Sequence, residues 1–189
     1  MSNVRPHKAS VVLLPQVSGY KVRPVQLDDA AAWASYSCLP EVKIHTSSAV
    51  STVADVEAMI ERILASAPSL PMRFVLQQTG SSAVQATVGF HTVSSLNGTA
   101  EISYDVAPAY WGKGIATAAC RAATIWAFEV AGWHRVQATT LLPNVASQRV
   151  LEKCGFKLEG LVRNFRVVAG RPADYWLYSA IPGEVRSEA

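Results

Sequence analysis

The sequence is short of charge, of cysteine and of any long apolar run. Asp, Glu, Lys and Arg make up only 16% of its 189 residues, against a usual share of about 25%. With half of the residues hydrophobic, this balance excludes wholesale disorder. Seventeen Lys plus Arg against fourteen Asp plus Glu leave a net charge of +3, and no five like charges stand in a row. Nothing there argues for a nucleic-acid partner. A bias this small still suits a small anionic ligand held at one local site. The three cysteines, Cys38, Cys120 and Cys154, are an odd number without metal-ligand spacing, so neither a disulfide framework nor a zinc site is indicated. No metal is expected, and the setting expected is the reducing cytoplasm. No apolar stretch is long enough to span a bilayer, and Pro15 stops the run that begins at Val11 far short of a signal-peptide core. No membrane partner is therefore expected.

Repeats of 20–50 residues and low-complexity segments are also missing. At roughly 150 residues per domain, the length fits one domain with about forty residues left over. We expect a loosely ordered arm over residues 1–18, one folded body over 19–181 and a frayed tail over 182–189.

Within the body the pattern is mixed. Residues 20–25 read as a strand and 27–38 as a short helix opened by Asp28 and Asp29. Residues 52–65 place Val53, Val56, Ile60 and Leu64 on one helical face before Pro68 and Pro71 end the run. Residues 73–78, 85–93 and 100–106 then read as consecutive antiparallel strands, the last following the turn signal Asn97-Gly98. An Ala-rich helix over 112–131 stops at Gly132 and leads to a strand over 135–140. Strand, helix and strand in that order predict one parallel crossover. Pro143-Asn144 announces a helix over 145–154, stopped by Gly155, and strands over 156–167 and 174–181 flank Ala169-Gly170. The expected fold class is therefore a single-domain α+β fold, with a mixed, mostly antiparallel sheet of six to seven strands, about four helices and one parallel crossover.

Two stretches can carry chemistry. In the first, Gly112 and Gly114 remove side chains where a helix begins. The first amides of that helix have no internal partner and point outward with the positive end of the dipole, which suits a phosphate or pyrophosphate. The same glycines would serve a plain strand-to-helix turn. Neither a P-loop nor a dinucleotide fingerprint is completed, since Lys113 sits between the glycines and Thr117 stands where a third glycine is required. In the second stretch, Asn144 reads as a helix N-cap with Ser147 in the first turn. A cap near the end of the preceding strand can also face a cleft.

Together these stretches, YWGKGIATAA and, one crossover later, LPNVASQRVLEKCGFKLEG, resemble the GNAT superfamily of acetyl-CoA-dependent N-acetyltransferases, and within it the branch of ribosomal-protein alanine N-acetyltransferases. The resemblance runs from about Tyr20 to Ile181. It implies a GNAT-like fold with acetyl-CoA as co-substrate and the pyrophosphate on the loop formed by Trp111, Gly112, Lys113, Gly114, Ile115, Ala116 and Thr117. It further implies a pantetheine arm paired like an added strand with Ser103, Tyr104, Asp105 and Val106, in a splay between that strand and the one over 135–140. Trp111 stands where the family usually has Arg or Gln, and Leu151 where many members place an acidic Tyr. Ser147, three residues after Asn144, matches the closer branch instead.

The implied reaction is direct transfer of an acetyl group to a primary amine, with the N-terminal α-amino group of a protein or peptide as the expected acceptor. Glu101 is the candidate base, because an ammonium has no lone pair until a proton leaves it. A strand amide near Val106 is the candidate oxyanion donor, and Ser147, oriented by Asn144, the candidate partner of the leaving thiolate. A small-molecule amine acceptor, or an acyl-CoA-binding regulatory protein without catalysis, are the other readings. As plain structure, Glu101 would be a solvated strand end. In a regular strand Asp105 lies on the face opposite Tyr104, and a bulge would change that parity. His91 reads as a hydrogen-bonded structural residue and His45 as an exposed loop residue. Cys120 and Cys154 read as packing residues, and Arg163, Arg166 and Arg171 as a solvated sheet edge. Trp33, Trp126, Trp133 and Trp176 are assigned to the core or its rim, and Tyr36 and Tyr110 to a pocket wall. Sheet edges and the C-terminal hairpin could support a homodimer.

Overall fold

The computed structural model describes residues 13–66, 70 and 72–186. Among them, seven strands form one sheet in the order β1-β2-β3-β4-β5-β7-β6. The strands are β1 (Tyr20–Pro24), β2 (Arg73–Gln78), β3 (Ala86–Ser94), β4 (Thr99–Val106), β5 (Arg135–Leu141), β6 (Lys157–Val168) and β7 (Arg171–Ala180). Five helices accompany them: α1 (Ala30–Ser37), α2 (Pro40–Lys43), α3 (Val53–Ser66), α4 (Ile115–Glu129) and α5 (Val145–Lys153). This is the α+β architecture expected, with β4 and β5 as its parallel pair. The expected first helix is instead a 3-10 turn over Leu27–Asp29 leading into α1, and α2 was not foreseen. Pro40 at its first turn starts it, a position that needs no amide hydrogen. Pro68 and Pro71, the expected stops of α3, lie outside the described residues.

Alternation along the strands divides the molecule into two cores. Phe74, Leu76, Val88, Phe90, Ile102 and Val136 send their side chains to α4 and α5, where Ala119, Cys120, Ala123, Trp126 and Leu151 meet them. Small residues on α4 let that helix lie close to the sheet, and Trp126 packs against Phe74, Phe90 and Trp133. On the other face Val25 and Val75 pack with Trp33, Val56 and Ile60 from α1 and α3.

The ends are tied down where they are described. Residues 1–12 and 187–189, the outer parts of the expected arm and tail, lie outside the described residues. Val17 and Val185 are buried in the larger core, and Trp126 Nε1 donates to the carbonyl of Leu13 at 2.5 Å. Burying an indole requires a hydrogen-bond partner, and the arm supplies it.

Between β4 and β5 the sheet opens. The parallel ladder holds for three positions, from Thr99 opposite Arg135 to Glu101 opposite Gln137, and then stops. β3 continues beside β4 up to Ala86 opposite Val106, while β5 stays with β7 up to Leu141 opposite Tyr175. Each strand therefore follows its outer neighbour, and a split is left between Ser103–Val106 and the second half of β5.

Candidate functional site

Two cavities meet at this split. The larger, about 460 Å³, runs from Tyr104 and Val106 to the loop before α4, and the smaller, about 130 Å³, lies among Glu101, His91, Thr139, Arg166 and Tyr175. His45, Tyr104, Asn144 and Ser147 line both.

The larger cavity ends on the glycine loop. Gly112 and Gly114 have φ of +75° and +77°, the left-handed region that costs other residues about 1–2 kcal/mol. A Cβ at either would meet nothing within 4 Å, so the backbone conformation rather than crowding requires glycine. Gly114 caps α4 without a side-chain hydrogen bond. The amides of Ile115, Ala116 and Thr117 precede the first intrahelical donor, Ala118, which bonds the Gly114 carbonyl at 3.0 Å. Gly112, Gly114, Ile115, Ala116 and Thr117 all line the cavity, which is the arrangement an anionic group at a helix start needs. Trp111 and Tyr110 line it as well. Lys113 does not: its ammonium lies 5.0 Å above the Tyr110 ring.

β4 supplies the cavity's long wall. The amide of Ala107 donates to Gln85 on the β3 side at 2.9 Å, so by alternation the amides of Val106 and Tyr104 point the other way, into the split. The Val106 carbonyl is already taken by Trp111 Nε1 at 2.7 Å. That bond anchors the indole over the mouth, where it meets the His45 ring edge-on at 6.3 Å.

At the junction of the cavities, Asn144 Oδ1 accepts from the Ser147 amide at 3.1 Å, which fixes the first turn of α5. Ser147 Oγ lies 2.8 Å from Tyr104 Oη. Burial, above all, pushes the Tyr104 phenol well above its usual range, so it stays protonated and able to donate. Asn144 Nδ2 also reaches the His45 carbonyl at 3.3 Å, drawing the loop after α2 against the site. The phenol of Tyr104 is the functional group that sequence reasoning missed. The signal was strand parity, since Tyr104 shares the face of Ile102 on which α4 and α5 pack.

Glu101 is no solvated strand end. It is 3% exposed, and its Oε1 accepts from Thr139 Oγ1 at 2.6 Å and from Arg166 Nη2 at 2.7 Å. Arg166 likewise departs from the solvated-edge reading, since its guanidinium lies above the rings of Phe165 and Tyr175 and walls the smaller cavity. Its reach across the sheet follows from β6 being the long outer strand of the last hairpin, a tertiary fact that spacing does not reveal. His91 sits on β3 opposite Glu101 and is hydrogen-bonded to Thr92, and His45 is exposed in the loop after α2, as expected; both also line the smaller cavity.

The register from Ala86–Val106 to His91–Glu101 is unbroken, so Glu101, Ser103 and Asp105 share a face opposite Tyr104. Asp105 belongs to a buried polar cluster there. It accepts from Tyr36 Oη at 2.5 Å, Thr87 Oγ1 at 3.1 Å and Trp33 Nε1 at 3.1 Å. Burial raises its acidity constant's midpoint above the ordinary carboxylate value, opposed by Arg73 and those donors. Arg73 in turn donates to Ser103 Oγ at 2.6 Å, the Ser103 carbonyl at 3.3 Å and Thr87 Oγ1 at 3.0 Å. Tyr36 is thus a buried brace behind β4 and not the pocket residue expected, whereas Tyr110 does line the larger cavity. Cys120 and Cys154 are buried, and a hydrogen bond between their thiols, together with burial, raises Cys120 well above the usual thiol value. An inert packing role fits them.

A sheet split beside a helix start with bare amides, with a serine held by a helix cap at the junction and a buried carboxylate beyond it, defines the class of acyl-group transferases that bind their donor along a strand. The chain belongs to the acetyltransferase (GNAT) domain family, which matches it over residues 21–157. It is 29% identical over 167 residues to the uncharacterized N-acetyltransferase p20 of Bacillus licheniformis, covering 86% of this chain and 93% of that protein. Among solved structures it resembles Mycobacterium smegmatis RimJ in complex with CoA-disulfide, at 26% identity and a TM-score of 0.78, over 89% of this chain and 85% of that one. It shares its fold with the ribosomal-protein-S5-alanine acetyltransferase of Vibrio fischeri, at 21% identity and a TM-score of 0.78, over 91% of this chain and 98% of the other. The protein is an N-acetyltransferase of this family.

Proposed function

We infer that acetyl-CoA is the donor and that the acceptor is a primary amine, the N-terminal α-amino group of a protein or peptide, which attacks the bound thioester directly in a ternary complex. One observation carries this reading: the donor-sized cavity and the small polar cavity join at Ser147 and Tyr104, with Glu101 on the far side. The amides of Ile115, Ala116 and Thr117 would hold the pyrophosphate. The Val106 amide would donate to a pantetheine carbonyl, and the neighbouring inward-facing amide, that of Tyr104 beside Ser147, would face the thioester oxygen as negative charge develops on it. Acetyl-CoA supplies the activated acyl carbon; the rest is the work of this chain. Glu101, held by Thr139 and Arg166, draws the acceptor ammonium into the smaller cavity and holds it there while its proton leaves. Tyr104 donates to Ser147 Oγ, which leaves the Ser147 hydroxyl hydrogen to be directed at the sulfur as the C–S bond breaks. No covalent acetyl-enzyme is required.

Support for a protein N-terminus comes from the RimJ-like fold and from the smaller cavity, whose wall includes the loop residues His45, Thr46 and Ser47. The test follows release of free thiol while acetyl-CoA is offered with peptides of differing N-termini and with small amines. Peptides acetylated at the α-amino group, with simple amines far slower, is the expected result. Turnover of small amines alone would make this a small-molecule acetyltransferase, and binding of acetyl-CoA without thiol release from any mixture would leave a carrier-binding protein.

A further inference from the structure

On the reading that this site transfers acetyl groups to amines, we propose that His91 takes the proton from the acceptor amine, while Glu101 binds and orients the incoming ammonium. His91 and Glu101 are partners across the β3–β4 ladder, a position that sets their side chains side by side on one face. Both line the smaller cavity with Ser103 and Tyr104. Glu101 already has two donors on one oxygen. A proton placed on that carboxylate would break its ion pair and strand the partly buried Arg166 guanidinium, whose side chain is 31% exposed; losing one partner of a buried pair is costly. An imidazole beside it has no such tie.

The ring is also held. His91 Nδ1 lies 2.9 Å from Thr92 Oγ1, and Thr92 itself has a φ of +50°, a conformation that a β-branched residue adopts only under constraint. It falls at the irregularity of the β3–β4 register between His91 and Ser94. This break in the strand places the Thr92 hydroxyl against Nδ1, so that with Nδ1–H donated to it the lone pair is on Nε2. Four neighbouring elements bring charged or titratable groups to the ring's surroundings: Glu101 on β4, Arg73 on β2, Arg166 on β6 and Tyr175 on β7, with His45 from the loop after α2 completing the cavity wall. Burial, aided by Arg73 and Arg166 and opposed by Glu101, lowers the ring below the ordinary histidine value. At neutral pH it is therefore uncharged and able to accept.

The step balances. Two protons leave the acceptor ammonium on the way to the amide. The first passes to His91 Nε2 before attack and then to solvent. The nitrogen lone pair forms the C–N bond, the C–S bond breaks, and the second proton ends on the leaving thiolate.

The experiment compares the pH dependence of kcat for wild type and His91→Gln, with an alanine-terminated peptide and saturating acetyl-CoA. For wild type, kcat should fall only below the ordinary histidine midpoint of about 6.5; for the variant, the fall should move up toward the amine's own midpoint, near 8. At pH 6.5 the variant should be about 20- to 30-fold slower, since only about 3% of an amine with a midpoint near 8 is uncharged there. The loss should shrink as pH rises, with the KM for acetyl-CoA unchanged. A loss uniform across pH, or an unaltered profile, overturns the role of His91. A wild type that releases no thiol with any amine overturns the acetyl-transfer reading itself, which is a separate result. Should the variant not fold, imidazole ¹⁵N NMR of the wild type decides. The Nδ1–H tautomer, titrating below the ordinary value, supports the role, and a proton resident on Nε2 overturns it.

Discussion

Ser147 is joined to the chemistry by two contacts with different functions. Its amide is held by Asn144, and that bond survives removal of the hydroxyl; its Oγ meets only the Tyr104 phenol and the cavity. Ser147→Ala should therefore leave the turn and the donor cavity intact while lowering kcat by about 10²-fold, a modest share of what positioned acid–base groups contribute. Calorimetry with acetyl-CoA should give the same affinity as wild type, and equal turnover would dismiss the role. At Gly114 the effect runs the other way. Alanine there has space but must adopt a φ of +77° at a cost of about 1–2 kcal/mol. If the loop relaxes instead, its amides turn from the cavity, and acetyl-CoA binding should weaken about tenfold with little change in kcat at saturation. The glycine loop, Asn144 and Ser147 were legible in the sequence because local backbone rules place them. The Tyr104 phenol, Arg166 and His91 were not, because their meeting depends on strand parity, on register and on a hairpin that crosses back over the split.

The strand β4 is shaped from behind by the Arg73 cluster, and Gly89 on β3 makes room for it. A Cβ on Gly89 would fall 2.3 Å from the Met72 carbonyl oxygen, 2.7 Å from Arg73 Cα and 2.9 Å from Arg73 Nε. Two of these are backbone atoms that cannot swing aside. Gly89→Ala should cost at least about 2 kcal/mol, within the overpacking range, and should loosen the Ser103 contacts of Arg73, so thermal midpoint and turnover fall together. Arg135 and Glu159 form a second joint, which pins β6 to β5. Both Glu159 oxygens accept from Arg135 at 2.7 Å, and Ser179 Oγ adds a bond at 2.5 Å. These donors hold the Glu159 carboxyl down to about 2. A carboxyl lowered on folding stabilises the protein above its unfolded value, and that contribution is lost as pH falls from about 4.5 toward 2. The side chain is 38% exposed, so screening limits the effect to less than about 1 kcal/mol. Glu159→Gln should flatten that part of the acid-unfolding curve, and an unchanged curve would remove the joint from the stability of the hairpin. Most elements were readable because apolar periodicity and Gly or Pro stops mark them. The 3-10 entry to α1 and the short helix α2 were not, since four residues cannot show a helical period.

Over the whole molecule, the split divides one sheet into β1–β4 and β5–β7–β6, joined directly by a ladder of three residue pairs and bridged by α4 and α5 across one face. A donor lying along β4 with its acyl end between Tyr104 and Ser147 would replace the missing ladder, tying a strand of the first half to a helix that packs on the second. Its binding should then show up in two ways that a ligand resting on the glycine loop alone would not produce together. Acetyl-CoA at a hundred times its Kd should stabilise the fold by about 2.7 kcal/mol, which for a chain of this size is a rise of roughly 5–11 °C in Tm. The amides of Tyr104 and Val106, which face the split, should at the same time exchange more slowly with solvent, because hydrogen-bonded strand amides exchange only when the structure opens. Hydrogen exchange resolved by NMR, with and without acetyl-CoA, measures the second effect directly. A thermal shift without slower exchange at these two amides would confine the ligand to the helix start, and the split would then be a feature of the fold with no part in aligning the thioester.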